Sequence, residues 1–223
     1  MSHFVFMLTK EDRTVPDAAK IYADLARTPL RYIGFKDIGL PVAELVSLAA
    51  AMKRDGKKVM LEVVSTSREA EIRSVEAARE IGVNYLLGGR HAEEAVRILK
   101  GTDIQYFPFA GRTEGHPTRL VGTIDEIVED AKHLASLPGV HGLDLLAYRF
   151  AGDVEQLAAR VVQSVKVPVL AAGSIDGNER VQAMRRCGVW GFTVGSAVFD
   201  GDFLREPVPQ QIENILQLEG VTA

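Results

Sequence analysis

Two glycine–serine turns near the C-terminus carry the clearest chemical signal in the chain. Gly173-Ser174 follows the apolar run 167–171 and Ala172, and Gly195-Ser196 follows the run 192–194. Glycine lets backbone N–H groups come close to a phosphate, serine hydroxyls add donors, and a helix N-terminus beyond such a turn adds partial positive charge. A single turn of this kind is an ordinary strand-to-helix connection. Two in succession predict a phosphate site at Gly173, Ser174, Gly195 and Ser196.

The reactive group is expected upstream. Lys36 ends the run 32–35 and precedes Asp37, and Glu62 sits inside the run 59–64. A lysine at the end of a buried strand is partly desolvated, which lowers its pKa toward that of a base or an imine-forming nucleophile. Lys36, Glu62 and Asp37 are the expected catalytic residues, with an ion pair as the bland alternative for the lysine. One of the two acids is expected to point outward, because neighbouring strand residues alternate faces. Arg90, His91, Arg112 and Arg149 are the expected substrate-binding residues. His91 suits a helix cap equally well, and the glycine-bearing loop with Arg112, Glu114 and His116 suits a solvated loop. His3, His133 and His141 read as structural.

The elements that must position these residues recur along the whole chain. Apolar runs at 4–8, 32–35, 59–64, 85–87, 104–109, 143–147, 167–171 and 192–194 are too short for helices and suit strands buried on both faces. Helical spacing fills the gaps: Ala18, Ile21, Tyr22 and Leu25 share one face, as do Ile124, Ile127, Val128, Ala131 and Leu134. Thr123 and Glu126 have the spacing of a capping box. Gly82-Val83, Gly139-Val140 and Gly188-Val189 each read as a helix stop followed by a strand start. Eight strand–helix alternations predict a parallel α/β sheet. In 223 residues without a dinucleotide fingerprint after strand one, closure into a single (β/α)8 TIM barrel is favoured over an open doubly wound sheet. One domain, 1–223, is expected. The active site then belongs at the C-terminal ends of the strands, and phosphate beside the last two.

Composition narrows the partners. A net charge of −4 with acids and bases interspersed argues against nucleic acid and against anionic membranes. No apolar run approaches the ~18 residues of a membrane helix, and the first residues lack a signal-peptide pattern. Cys187 is the one cysteine, which fits a reducing compartment; a cytoplasmic location is expected. The chain has no H-x-H, H-E-x-x-H, GxGxxG or Walker pattern, so neither a metal nor a nucleotide cofactor is expected. Association into homo-oligomers is left open.

The segment Val167-Pro-Val-Leu-Ala-Ala-Gly-Ser174, followed by Gly188-Val-Trp-Gly-Phe-Thr-Val-Gly-Ser-Ala197, resembles the closing quarter of the ribulose-phosphate-binding barrels. Within that superfamily, Tyr32-Ile-Gly-Phe-Lys36 and the stretch from Val59-Met-Leu-Glu62 through Ser65-Thr66 to Gly82-Val83 are similar to N-acetylmannosamine-6-phosphate 2-epimerases. The resemblance implies Lys36 as a proton-transfer residue and Glu62 as its polar partner. It fails at Ala172, where that family has a second acid. Lys36-Asp37-Ile38-Gly39 also resembles orotidine-phosphate decarboxylases, yet Gly34 and Gly39 stand where their acids belong.

The expected activity is proton transfer beside a carbonyl of a small phosphorylated sugar, as in an isomerase or epimerase of carbohydrate metabolism. A Schiff-base aldolase or lyase on the same substrate class is the alternative, and a non-catalytic phosphate-metabolite sensor is a third reading. A flavin phosphate at the same turns is a weaker option.

Overall fold

The computed structural model describes residues 2–218. Eight parallel strands form the wall of a (β/α)8 barrel: β1 His3–Met7, β2 Tyr32–Lys36, β3 Lys58–Val63, β4 Tyr85–Gly88, β5 Gln105–Phe107, β6 Leu143–Leu145, β7 Val169–Ala171 and β8 Gly191–Val194. Hydrogen-bonded neighbours run in order from β6 through β7 and β8 to β1, and on through β2, β3 and β4 to β5. The remaining seam, β5 to β6, is closed by a bridge between Phe109 and Asp144. There Asp144 N–H donates to Pro108 O and Ala110 N–H donates to Asp144 O, both at 2.9 Å.

The helices that return the chain are α1 Ala18–Leu25, α2 Val42–Arg54, α3 Arg68–Ile81, α4 Ala92–Leu99, α5 Ile124–Ser136, α6 Val154–Ser164 and α7 Asn178–Arg186, with α8 Ser196–Asp200 and α9 Val208–Leu218 after β8. Their ends follow local chemistry. Thr123 and Glu126 form the expected reciprocal capping box at the start of α5, and Gly82 ends α3 in the left-handed conformation at φ 72°. Among the described residues no helix is long and apolar enough to cross a membrane.

Each strand divides its side chains between two cores. Phe4, Phe6, Ile33, Phe35, Leu61 and Leu86 face outward against the helices. Val5, Met7, Tyr32, Met60, Leu87, Phe107 and Leu170 fill the barrel itself. Its lower end is plugged by His3, Tyr32, Tyr85, Phe107 and Trp190, whose neighbouring rings lie 4.9–6.1 Å apart. The polar residues are thus left to the upper end.

The structure departs from the expected elements in two loops. Thr9–Lys10 pairs with Arg13–Thr14, and Arg112–Glu114 pairs with Arg119–Val121, as small antiparallel hairpins on top of the barrel. The apolar run 143–147 predicts strand throughout; the chain instead leaves β6 at Leu145 and turns through a 3-10 helix, Ala147–Arg149. That turn aims Arg149 back over the mouth.

Candidate active site

Parallel register places the central pair. Lys36 on β2 lies beside Glu62 on β3, and both side chains face inward, one pleat above Gly34 and Met60. A Cβ at Gly34 would stand 2.6 Å from Met7 Sδ and 3.0 Å from Met60 O, so a side chain there would crowd the pleat below the pair. Lys36 Nζ lies 2.7 Å from Asp12 Oδ1 and 3.4 Å from Glu62 Oε2. Asp12 comes from the 9–14 hairpin. Its carboxylate also accepts Arg149 Nη2 at 2.9 Å, Arg149 Nη1 at 3.3 Å and the Thr118 N–H at 3.1 Å. Thr14 locks the base of this group, accepting from Lys36 N–H and donating to Lys36 O, each at 2.8 Å.

Burial alone would raise the Asp12 pKa, but the Lys36 ammonium and then Arg149 hold it down to about 2. For Lys36, burial lowers the pKa, and the charges of Glu62 and Asp12 outweigh it and leave the group raised. The expectation of a lysine tuned downward is therefore corrected: the resting side chain is an ammonium. Burial raises Glu62 more strongly than Lys36 lowers it. Asp144, inward-facing on β6, is fully buried and neither of its carboxylate oxygens has a hydrogen-bond partner. Burial, reinforced by Glu62, pushes it well above the usual carboxylate range.

Asp12 makes one stability prediction. Its folded pKa lies below its unfolded value near 3.9, so its contribution is complete above that value and is lost as pH falls toward 2. Wild type should lose about 2 kcal/mol to this group between pH 5 and pH 2. Asp12→Asn should lack that part of the acid limb in urea titrations.

The glycine–serine turns face the same space. Gly173 and Ser174 have φ 81° and 44°, and among the described residues the amides of Gly173, Ser174, Ser196 and Ala197 donate to no backbone acceptor. A Cβ on Gly195 would stand 2.6 Å from Thr9 Oγ1 and 3.0 Å from Thr9 O. Three acids share this rim. Asp200 pairs with Lys10 at 2.6 Å and Asp176 with Arg180 at 2.7 Å, while Asp202 lines the cavity without an ion pair among the described residues. An anion seated here would depend on the free amides and on those neutralising pairs.

The structure gathers some of the expected residues and separates others. Lys36, Glu62, Arg149, Gly173, Ser174, Gly195 and Ser196 line one cavity. Asp37 does not belong to it. Its carboxylate points outward to α3, accepting Val64 N–H at 3.0 Å, Ser65 Oγ at 2.5 Å and Ser74 Oγ at 2.8 Å. Arg90 ties two loops together, donating to Thr66 O at 2.7 Å and Thr113 O at 3.2 Å, beside a separate cavity. His91 precedes α4 without a side-chain cap, and its Nδ1 lies 2.8 Å from Glu71 Oε2. Arg112 is solvent-exposed, 3.6 Å from Glu114, and His116 is exposed on the same hairpin. Asp12 and Thr118 also line this cavity, and Asp144 interacts with Glu62 from β6; of the three, only Asp12 belongs to a polar stretch directly after a strand, where the mouth is expected. Among the described residues no three His, Cys, Asp or Glu side chains converge as a metal-holding group.

No family model and no curated protein matches the chain. Solved structures do. A mutant tryptophan synthase alpha-subunit from Pyrococcus furiosus superposes with a TM-score of 0.69 at 17% identity, covering 99% of this chain and 98% of that one. Thiamine phosphate pyrophosphorylase from Pyrococcus furiosus gives 0.62 at 17% identity, covering 97% and 96%. Phosphoribosylanthranilate isomerase from Thermotoga maritima, in a monomeric form, gives 0.65 at 13% identity, covering 99% and 100%. The protein therefore shares the (β/α)8 barrel fold of these enzymes over nearly its full length.

Proposed function

We propose that the protein is an enzyme that moves a proton beside a carbonyl of a small phosphorylated sugar or related phosphate ester. One observation carries the reading: a single cavity of about 230 Å³ is lined by Lys36 and Glu62 as well as by Gly173, Ser174, Gly195 and Ser196. A ligand held by its phosphate at the turns would present its carbons to the two side chains. The volume lies below the ~300–1,000 Å³ of sites for drug-sized ligands, which favours a short substrate. Two of the structural neighbours are named for phosphorylated compounds, which lends the reading support.

The charge states divide the labour. Glu62, raised by burial, is suited to accept a proton from the carbon next to the carbonyl. The electron pair then moves to the carbonyl oxygen, where the Lys36 ammonium stabilises the enediolate. The neighbouring hydroxyl then passes its proton to the former carbonyl oxygen, and return of the carbon proton to the adjacent carbon completes an isomerisation. Epimerisation needs a second proton carrier on the opposite face, and Ala172 supplies none. Isomerisation is therefore the better fit. The imine route of a lyase needs a neutral amine at Lys36, which its two ion pairs oppose.

Incubation in D2O with a panel of triose, pentose and hexose phosphates tests the reading. Deuterium should enter the substrate beside the carbonyl, and borohydride should leave Lys36 unmodified. A borohydride-fixed adduct on Lys36 would establish the lyase instead. Tight binding of a phosphate ester without exchange would establish a sensor. The anchor is tested separately by Gly195→Ala, whose methyl must push against Thr9. That variant should weaken binding of glycerol 3-phosphate by about tenfold or more, near 1.4 kcal/mol, and unchanged affinity would remove phosphate from these turns.

A further inference from the structure

The barrel mouth contains a carboxylate-binding site that the chain itself occupies. Lys36, the two Nη atoms of Arg149 and the Thr118 N–H all converge on the carboxylate of Asp12, at 2.7–3.3 Å. The guanidinium meets both oxygens, the planar two-point fit that carboxylates make with arginine. Lys36 ends β2, and Thr118 and Arg149 lie in the segments after β5 and β6, so the site is built apart from the 9–14 hairpin, which fills it. Arg149 Nε is buried beside it with no acceptor.

The turn that carries the occupant is strained at its first residue. Glu11 and Asp12 both take left-handed conformations, at φ 51° and 59°. Glycine, asparagine and aspartate favour a two-residue hairpin turn of that hand, so the misfit lies at Glu11, whose side chain is not of that kind. The turn is fastened mainly by what it touches: Asp12 by the donors above, and Glu11 N–H by Ser196 Oγ at 3.2 Å. The second contact ties the hairpin to one of the glycine–serine turns, so a ligand arriving at Ser196 meets the same hairpin.

We propose that Arg149 and the Thr118 amide, with the Lys36 ammonium shared between them and the reacting carbonyl oxygen, form a subsite for a carboxylate of the substrate, from which Asp12 withdraws when the ligand binds. The inference rests on the phosphate reading and narrows the substrate to a phosphorylated carboxylic acid. The exchange conserves charge: one carboxylate leaves the two cations as another arrives, and neither Lys36 nor Arg149 is left buried without a counter-ion. Release of the left-handed turn favours the incoming group.

Calorimetric titration of wild type and Asp12→Gly with 3-phosphoglycerate and glycerol 3-phosphate tests the subsite. Glycine removes the competing carboxylate and suits the positive φ. Asp12→Gly should bind 3-phosphoglycerate about tenfold more tightly than wild type does, with little change for glycerol 3-phosphate. An equal change for both ligands, or a loss confined to 3-phosphoglycerate, would overturn the proposal and make Asp12 a fixed counter-ion. If Asp12→Gly does not fold, Asp12→Asn, which keeps the size and tolerates the backbone, is read in the same way. If glycerol 3-phosphate binds none of the proteins, the phosphate reading falls. Glycerate against glycerol then decides the carboxylate subsite alone: a gain for glycerate in the variant supports it, and none overturns it.

Discussion

Lys36→Met is expected to lower turnover of the proposed substrate by roughly 10²–10³-fold, the usual contribution of a positioned donor to a developing oxyanion. Methionine keeps most of the side-chain length and removes the ammonium that faces both Asp12 and Glu62. Deleting one partner of a buried ion pair commonly costs about 3–5 kcal/mol. Here the loss should be smaller. Asp12 keeps Arg149 and the Thr118 amide, and Glu62, already raised by burial, can take up a proton. A thermal melt beside the rate assay separates the two effects. A folded Lys36→Met variant that retains turnover within a few-fold of wild type would remove the lysine from the chemistry.

The second large effect is on stability and comes from Asp144. Its folded pKa is raised by burial and by Glu62, so the folded protein retains a proton that the unfolded chain releases. For such a group the stability contribution is complete below the ordinary carboxylate range. It is lost as pH rises from about 4 toward the raised value. Glu62 acts in the same direction, and Asp12 in the opposite one at low pH. Wild type should therefore be less stable at pH 8.5 than at pH 5, and Asp144→Asn should flatten that decline. At pH 8.5 the variant should gain on wild type, because asparagine has no proton to retain, by about 1.4 kcal/mol for each pH unit that the folded value is raised. For a chain of this length that is about 2–4 °C in Tm per kcal/mol. Parallel urea midpoints for the two proteins would refute the assignment if their pH dependence were identical.

The barrel was legible because parallel strands buried on both faces read as unbroken apolar runs, spaced by helices with marked ends. The neighbouring positions of Lys36 and Glu62 follow from that rhythm, since equivalent strand ends lie side by side. Asp37, Arg90 and His91 show where position along the chain stops being informative. Each follows a strand end, yet Asp37 turns to the serines of the β3–α3 segment, Arg90 to two loop carbonyls and His91 to Glu71. Strand alternation and local ion pairs, not proximity to the mouth, decide those directions. Asp144 was hidden inside Leu143-Asp144-Leu145-Leu146, which hydropathy reads as one more apolar run. Thr118 acts through its backbone N–H, which no side-chain pattern records. Asp12 stands with Thr9, Lys10 and Glu11 in the polar stretch after strand one, but nothing in that stretch singles out the residue that reaches Lys36, and the Glu11-Asp12 turn lacks the glycine that most often marks a tight hairpin. Its strain is visible only in the backbone angles.

In the proposed reaction one ligand spans the glycine–serine turns and the Lys36–Glu62 pair. A crystal structure of the protein grown with glycerol 3-phosphate tests this most directly. Phosphate density is expected on the amides of Gly173, Ser174, Ser196 and Ala197, with the carbon chain running toward Lys36. Phosphate bound elsewhere, or a ligand whose carbons point away from Lys36 and Glu62, would contradict it.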